Sequence, residues 1–206
     1  MTLDDQWYHD VNAFAVGTRW LHGFMAAYAL WAGLVVLALL LIGAWLFYAR
    51  HRADAPAAVA VAVLTGVSAV IAVLLNQNLI SPAIARPRPC TAFAHVEVLL
   101  PCSHDYSMPS DHCIIAGAFV AGLWILNRRF GIVAGLLALL LAFGRVYVGV
   151  HYPSDTVVGL LAGALIGIVI VLALRTPAAT LAARLIRSPL RPLITRGPTP
   201  VSDTSH

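Results

Sequence analysis

The 206-residue chain contains no lysine, so all 13 of its basic residues are arginine. Charge of either sign is scarce: charged residues make up 11% of the chain and hydrophobic residues 60%. A soluble domain of this size carries roughly a quarter charged residues, so the composition excludes that class and specifies an integral membrane protein. Cysteine is also sparse. Cys90, Cys102 and Cys113 have none of the spacings of a structural zinc site. A cleavable signal peptide is not expected, because the N-terminus carries Asp4, Asp5 and Asp10 and the first apolar run is too long for a signal core. The net charge of +4 comes largely from short loops and the tail, which reads as membrane orientation and not as nucleic-acid binding.

Five apolar runs are long enough to organise the chain. Residues 23–49 and 55–85 contain no charged side chain and each suffices for a tilted crossing of a hydrocarbon layer about 30 Å thick. Pro82 is expected to end the second run early. The third, from about Ser110 to Asn127, is slightly short, which sets its N-terminal end below the headgroup plane. Residues 130–150 and 152–174 supply two more. The expected fold is an all-α integral membrane protein: a compact bundle of about five transmembrane helices, six if the N-terminal helix inserts, with the active site at the outer helix ends. Residues 1–22, with Trp7, Val11, Phe14, Thr18 and Leu21 near one face, read as an interfacial helix or a frayed terminus. Residues 23–175 form the membrane-embedded unit, and 176–206 a basic cytoplasmic tail. In that tail the amphipathic piece Leu181 to Ile186 is expected to rest on anionic lipid, and the Pro-rich end to be disordered.

Arginines follow the first, third and fifth runs at positions 50, 52, 128, 129 and 175, and more follow along the tail. The positive-inside rule makes that side cytoplasmic, in a cell (inner or plasma) membrane. The N-terminus, the Pro-rich loop 82–109 and the turn at His151 then lie outside. Arg86 and Arg88 on that side, and Arg145 inside a run, stand where topology disfavours arginine. An anion to bind accounts for them.

Three clusters meet at the outer ends: Arg86-Pro87-Arg88-Pro89, Pro109-Ser110-Asp111-His112, and the stretch from Gly144 to Asp155. Arg, His and Asp spaced as Arg145, His151 and Asp155 at membrane depth point to a functional cavity, with interfacial anchoring as the plain alternative. The chemistry suits a phosphate. Arg88 and Arg145 can offer forked donors, and Ser110 can present its hydroxyl and amide at a helix N-terminus. Asp155 can fix one nitrogen of His151 and free the other to attack phosphorus, while His112 acts first as acid and then as base. A metal or other cofactor is not required, since arginine already supplies positive charge and no carboxylate-rich set is present.

These residues resemble the three signature motifs of the type 2 phosphatidic acid phosphatase superfamily. Arg88-Pro89, Pro109-Ser110-Asp111-His112, and Arg145 with His151 and Asp155 occur in order and at the right spacing, within about residues 70 to 175. The resemblance implies a metal-independent lipid phosphatase with His151 as nucleophile. Three positions depart from the pattern: Ser81 stands where a lysine is usual, Asp111 where the second motif has glycine, and Gly144 where serine often precedes the arginine. Arg86 is a candidate to replace the lysine. The Arg-Pro-Arg-Pro and Pro-Ser-Asp-His forms look most like the bacitracin-resistance type of undecaprenyl-diphosphate phosphatase. That implies a membrane lipid diphosphate as substrate. Phosphatidylglycerol phosphate, phosphatidic acid or another polyprenyl-linked phosphate is the alternative, and a non-enzymatic lipid binder or transporter a further one.

His95, His104, Glu97 and Asp105 read as solvated loop residues, the two carboxylates because they would repel an anionic substrate unless paired with an arginine. Asn76, Gln77 and Asn78 read as interhelical hydrogen-bonding groups. Cys90 and Cys102 share a loop on the outer side, where a disulfide between them is allowed but not required. Cys113 reads as a small packed residue.

Overall fold

A computed structural model describes residues 1–196, and the expected disordered end of the tail lies mostly outside them. Helix α1 (Leu3–Gly17) opens with a capping box in which Thr2 and Asp5 satisfy each other's backbone amides. Its packed face is Tyr8, Asn12 and Ala15, spaced to one side of the helix, whereas Trp7 and Phe14 of the expected face point outward. The first crossing consists of α2 (His22–Ala27), a π-helical turn (Tyr28–Ala32) and α3 (Gly33–Phe47). The second consists of α4 (Ala55–Leu75), another π-helical turn (Asn76–Ile80) and α5 (Ser81–Ile84). Pro82 comes just after this π-helical turn, and the helix continues through it to Ile84, so it does not end the crossing early.

A short α6 (Pro89–Ala92) and an irregular loop lead to α7 (Asp111–Leu126), α8 (Arg128–Tyr147), α9 (Pro153–Leu185) and α10 (Arg191–Ile194). Among the described residues, four helical stretches are long and apolar enough to cross a membrane: Arg19–His51, Ala55–Ala92, Arg128–Tyr147 and Pro153–Leu185. The fifth, α7, is apolar but only 16 residues long, or about 24 Å. It is the centre of the bundle, packed against α4, α8 and α9.

Small residues make that centre possible. A Cβ on Gly117 would collide with the carbonyl of Leu160, and one on Gly163 with the carbonyl of Ile114, so α7 and α9 touch backbone to backbone. Elsewhere the core is apolar filling, with Tyr28, Leu37, Phe119, Leu123 and Leu141 in one cluster.

The tail differs from expectation. There is no break at 175/176: α9 runs unbroken through Pro177 to Leu185. Its 33 residues span about 50 Å, longer than a hydrocarbon core. The chain then turns back and docks on the protein itself, with Trp45 Nε1 donating to the Leu193 carbonyl (2.9 Å) and Arg196 N to the Arg50 carbonyl (3.2 Å). Buried Ile194 accounts for this, since it gains a packed apolar site that lipid contact alone would not shape.

Candidate active site

The site lies at the end of the bundle where α5, α7, α8 and α9 meet the loop 85–110. A cavity of about 270 Å³ is lined by Arg88, Asp105, Asp111, His112, Arg145 and His151, among others. A neighbouring cavity of about 360 Å³ shares Arg88, Asp105 and Asp111 with it and continues past Gln77, Ser81 and Tyr106.

His151 is buried in the turn between α8 and α9. Its Nδ1 lies 2.8 Å from the carbonyl of Ser107 and 3.5 Å from Oδ2 of Asp155. A carbonyl can only accept, so Nδ1 carries the proton and Nε2 keeps its lone pair. Asp155 is thus not the sole aligner. The shorter bond is to Ser107, whose amide and hydroxyl are in turn held by the carbonyls of Arg86 (2.9 Å) and Pro87 (3.2 Å). Nothing in the local sequence around Ser107 signals this role. Burial pushes the His151 pKa down to about 4, against the opposing hydrogen bond with Asp155, so the ring is neutral at physiological pH.

Arg88 Nη1 lies 3.1 Å from His151 Nε2 and donates to the Val150 carbonyl at 3.0 Å. The other edge of its guanidinium binds Asp105, with Nε at 3.0 Å and Nη2 at 2.9 Å from Oδ1. Asp105 is therefore a partner of a site arginine and not an idle loop carboxylate. Burial opposes its ionisation, but hydrogen bonding from Ser103 and the charge of Arg88 hold it below the usual carboxylate range.

Arg145 is buried, and its Nη1 donates to the Ala29 carbonyl (3.1 Å). His112 Nε2 donates to the Leu30 carbonyl (2.9 Å), which leaves Nδ1 as its other nitrogen. Both carbonyls belong to the π-helical turn of the first crossing, where widening of the helix redirects backbone acceptors. The second π-helical turn acts similarly on Asp111. Asn76 Nδ2 and Gln77 Nε2 donate to its two oxygens at 2.7 and 2.8 Å, and Asn76 also bonds the Pro109 carbonyl at 3.0 Å. Asn76 and Gln77 are interhelical groups as expected, while Asn78 bonds within its own helix to Leu74.

Two expected phosphate contacts fall elsewhere. The Ser110 amide is already donated to the Asp155 carbonyl at 3.1 Å, so only its hydroxyl remains for an anion. That buried Oγ, like Nε of Arg145, finds no hydrogen-bond partner among the described residues. Of the two residues, Arg145 lines the cavity, and its orphaned Nε fits an anion that would satisfy it. Arg86 does not line the cavity. It bonds Asp155 Oδ1 (2.8 Å), Ser154 Oγ (2.7 Å) and Asp4 Oδ2 (2.7 Å), and its guanidinium lies over the Tyr152 ring at 3.8 Å. At the position where lysine is usual, Ser81 borders the second cavity.

A disulfide joins Cys90 to Cys102, with Cα atoms 6.1 Å apart, and Cys113 is buried as a free thiol. The disulfide staples the loop that carries Pro101, Ser103 and Asp105 to the rim. His95 and His104 are exposed, and Glu97 contributes its backbone, which pairs with the Asn12 side chain at 2.7 and 3.0 Å.

Residues 57–178 match the model of the PAP2 superfamily. The chain belongs to that superfamily. It is 35% identical over 144 residues to the undecaprenyl-diphosphatase BcrC of Bacillus subtilis (strain 168), covering 70% of this chain and 68% of that protein. It is 34% identical over 98 residues to an undecaprenyl-diphosphatase of Sulfolobus acidocaldarius, covering 47% of each. Among solved structures, LpxE of Aquifex aeolicus superposes with a TM-score of 0.63 at 25% identity, covering 84% of this chain and 96% of that one. A multi-pass membrane phosphatase of the PAP2 superfamily is what fold, motifs and relatives agree on. The superfamily match begins inside α4, so α1 and the first crossing, which supplies the Ala29 and Leu30 carbonyls, lie before it.

Proposed function

We propose that this protein hydrolyses a polyprenyl diphosphate of the undecaprenyl type to the monophosphate, through a phosphohistidine on His151. The observation that carries the reading is the state of His151: its proton is held on Nδ1 by Ser107, its Nε2 lies 3.1 Å from Arg88 Nη1, and the residue lines the cavity together with Arg88 and Arg145. The terminal phosphate binds Arg88, Arg145 and the Ser110 hydroxyl. Nε2 attacks phosphorus, the bond to the bridging oxygen breaks, and the lipid monophosphate leaves with that electron pair. His112 supplies a proton where the leaving oxygen needs one, then takes a proton from the water that attacks the phosphohistidine. Inorganic phosphate departs and the electron pair returns to Nε2. The arginines provide the positive charge that phosphoryl transfer requires. The similarity in sequence to two undecaprenyl-diphosphatases supports the diphosphate as substrate.

The site faces the extracytoplasmic side of the plasma membrane and the C-terminus faces the cytoplasm. Support comes from Arg50, Arg52, Arg128, Arg129, Arg175 and Arg184, which cluster at the opposite end, and from the disulfide at the site end. A tag after Met1 reachable from outside intact cells tests this orientation. Phosphate release from a panel of purified lipid diphosphates and monophosphates, in detergent with EDTA, tests the reaction. The wild type turns over without metal and prefers the diphosphate, and His151→Ala is inactive. Turnover by His151→Ala, or strict metal dependence of the wild type, overturns the mechanism.

A further inference from the structure

We propose that Asp4, on the N-terminal helix α1, is a positioning residue for phosphoryl transfer that acts through Arg86 and Asp155 on His151. The inference rests on His151 being the nucleophile. It concerns a residue 53 positions before the superfamily match begins at residue 57.

Asp155 is fully buried, and a buried carboxylate needs its charge and lone pairs met. Oδ2 accepts the Tyr152 amide at 2.8 Å and faces His151 Nδ1 at 3.5 Å. Oδ1 accepts Arg86 Nη1 at 2.8 Å. Arg86 would by itself neutralise Asp155 and leave little negative charge for the histidine. Asp4 takes up the other side of the same guanidinium at 2.7 Å. It also accepts the Ser154 amide (3.0 Å) and hydroxyl (2.5 Å), while that hydroxyl accepts from Arg86. Burial works against ionisation of Asp4, but hydrogen bonds from Ser154 and Arg86 hold it below the usual carboxylate range.

The three groups therefore carry one net negative charge against the histidine. When Nε2 bonds to phosphorus while Nδ1 keeps its proton, the imidazole ring becomes cationic. The surplus negative charge favours that state over the neutral ring, so it acts on the transition state and not on substrate binding. With Asp4 neutralised, Arg86 and Asp155 cancel and the assistance falls. Docking of α1 does not depend on Asp4 alone, since Tyr8 donates to the Gly149 carbonyl (3.2 Å) and Asn12 pairs twice with the Glu97 backbone. The charge and the docking are thus separable.

The experiment compares full-length Asp4→Asn, Asp4→Glu, Asn12→Ala and Asp10→Asn in detergent, reading kcat, KM and Tm on the diphosphate. Asp10 is exposed on the same helix and serves as the charge control. Asp4→Asn is expected to lower kcat about tenfold with KM within about twofold of wild type. Asp4→Glu regains most of the loss, Asn12→Ala lowers Tm and leaves kcat, and Asp10→Asn changes neither. A wild-type kcat in Asp4→Asn, a loss carried by KM, an equal kcat loss in Asn12→Ala or Asp10→Asn, or no recovery in Asp4→Glu overturns the proposal. If His151→Ala is inactive and Asp4→Asn is normal, only the role of Asp4 falls. If His151→Ala turns over, the nucleophile assignment falls with it.

Discussion

Asp105 occupies the face of Arg88 that a phosphate would use: Nε and Nη2 of the arginine lie 3.0 and 2.9 Å from one carboxylate oxygen. A carboxylate and a phosphate compete for the same forked donors. The Asp105 side chain is 55% exposed, so its release needs little rearrangement. Asp105→Asn is therefore expected to lower KM several-fold with kcat nearly unchanged, as measured by steady-state phosphate release. A raised KM would instead make Asp105 a brace that orients Arg88 for substrate.

His112 separates the two kinds of leaving group. A lipid monophosphate leaves from a diphosphate with little need of a proton, whereas an alkoxide leaves from a monoester only with one. General acid catalysis is worth about 10²–10⁴-fold. In His112→Ala the diphosphate should still give a rapid burst of about one product per enzyme, followed by slow turnover as the phosphohistidine waits for water. The monoester should give no burst. Rapid-quench measurement of both substrates decides it, and equal behaviour would remove His112 from the acid role.

Neutral, buried His151 makes stability depend on pH. Its pKa is pushed down to about 4 in the folded protein by burial, against an ordinary value of 6.5. Between those values the unfolded chain binds the proton and the folded one does not, so stability is lost as pH falls from about 6.5 toward 4. The Tm in detergent should fall across that window, and His151→Gln should flatten the fall. An equal slope in the variant would assign the effect to other groups.

The α7–α9 seam tolerates no added methyl. Gly163→Ala would press a Cβ into the Ile114 carbonyl and is expected to cost about 1–3 kcal/mol. Because Ser110 and Asp155 are bonded across the same seam, activity should fall with stability. A methyl added at Gly135 on α8 would meet nothing within 4 Å, so Gly135→Ala should leave Tm unchanged or slightly raised. Thermal unfolding of the pair checks the contrast.

Much of this protein is legible in its residues. Long uncharged runs can only be helices where backbone groups lack water, and that requirement accounts for the four helices long enough to cross and the shorter apolar α7. Arg88, Ser110, His112, Arg145, His151 and Asp155 stand out as candidates because ionisable or polar groups at membrane depth are costly without a purpose. Pro82 and the boundary at 175/176 misled, since local pattern carries no information about how a helix continues past a proline or what α9 and the tail dock against.

The partners of those residues were decided by tertiary structure. Asp4 and Arg86 stand 82 positions apart, Arg145 and the Ala29 carbonyl 116, and Asp105 bonds Arg88 from within a loop shaped by its own disulfide. Ser107 aligns His151 with a backbone oxygen, which every residue type possesses and no side-chain pattern can reveal. Sequence by itself determined which groups could handle a lipid phosphate, because burial of charge in a membrane is a one-dimensional signal. Only packing decided which of them line the cavity and which, like Arg86, are spent holding the others, because hydrogen-bond geometry exists only once distant segments meet.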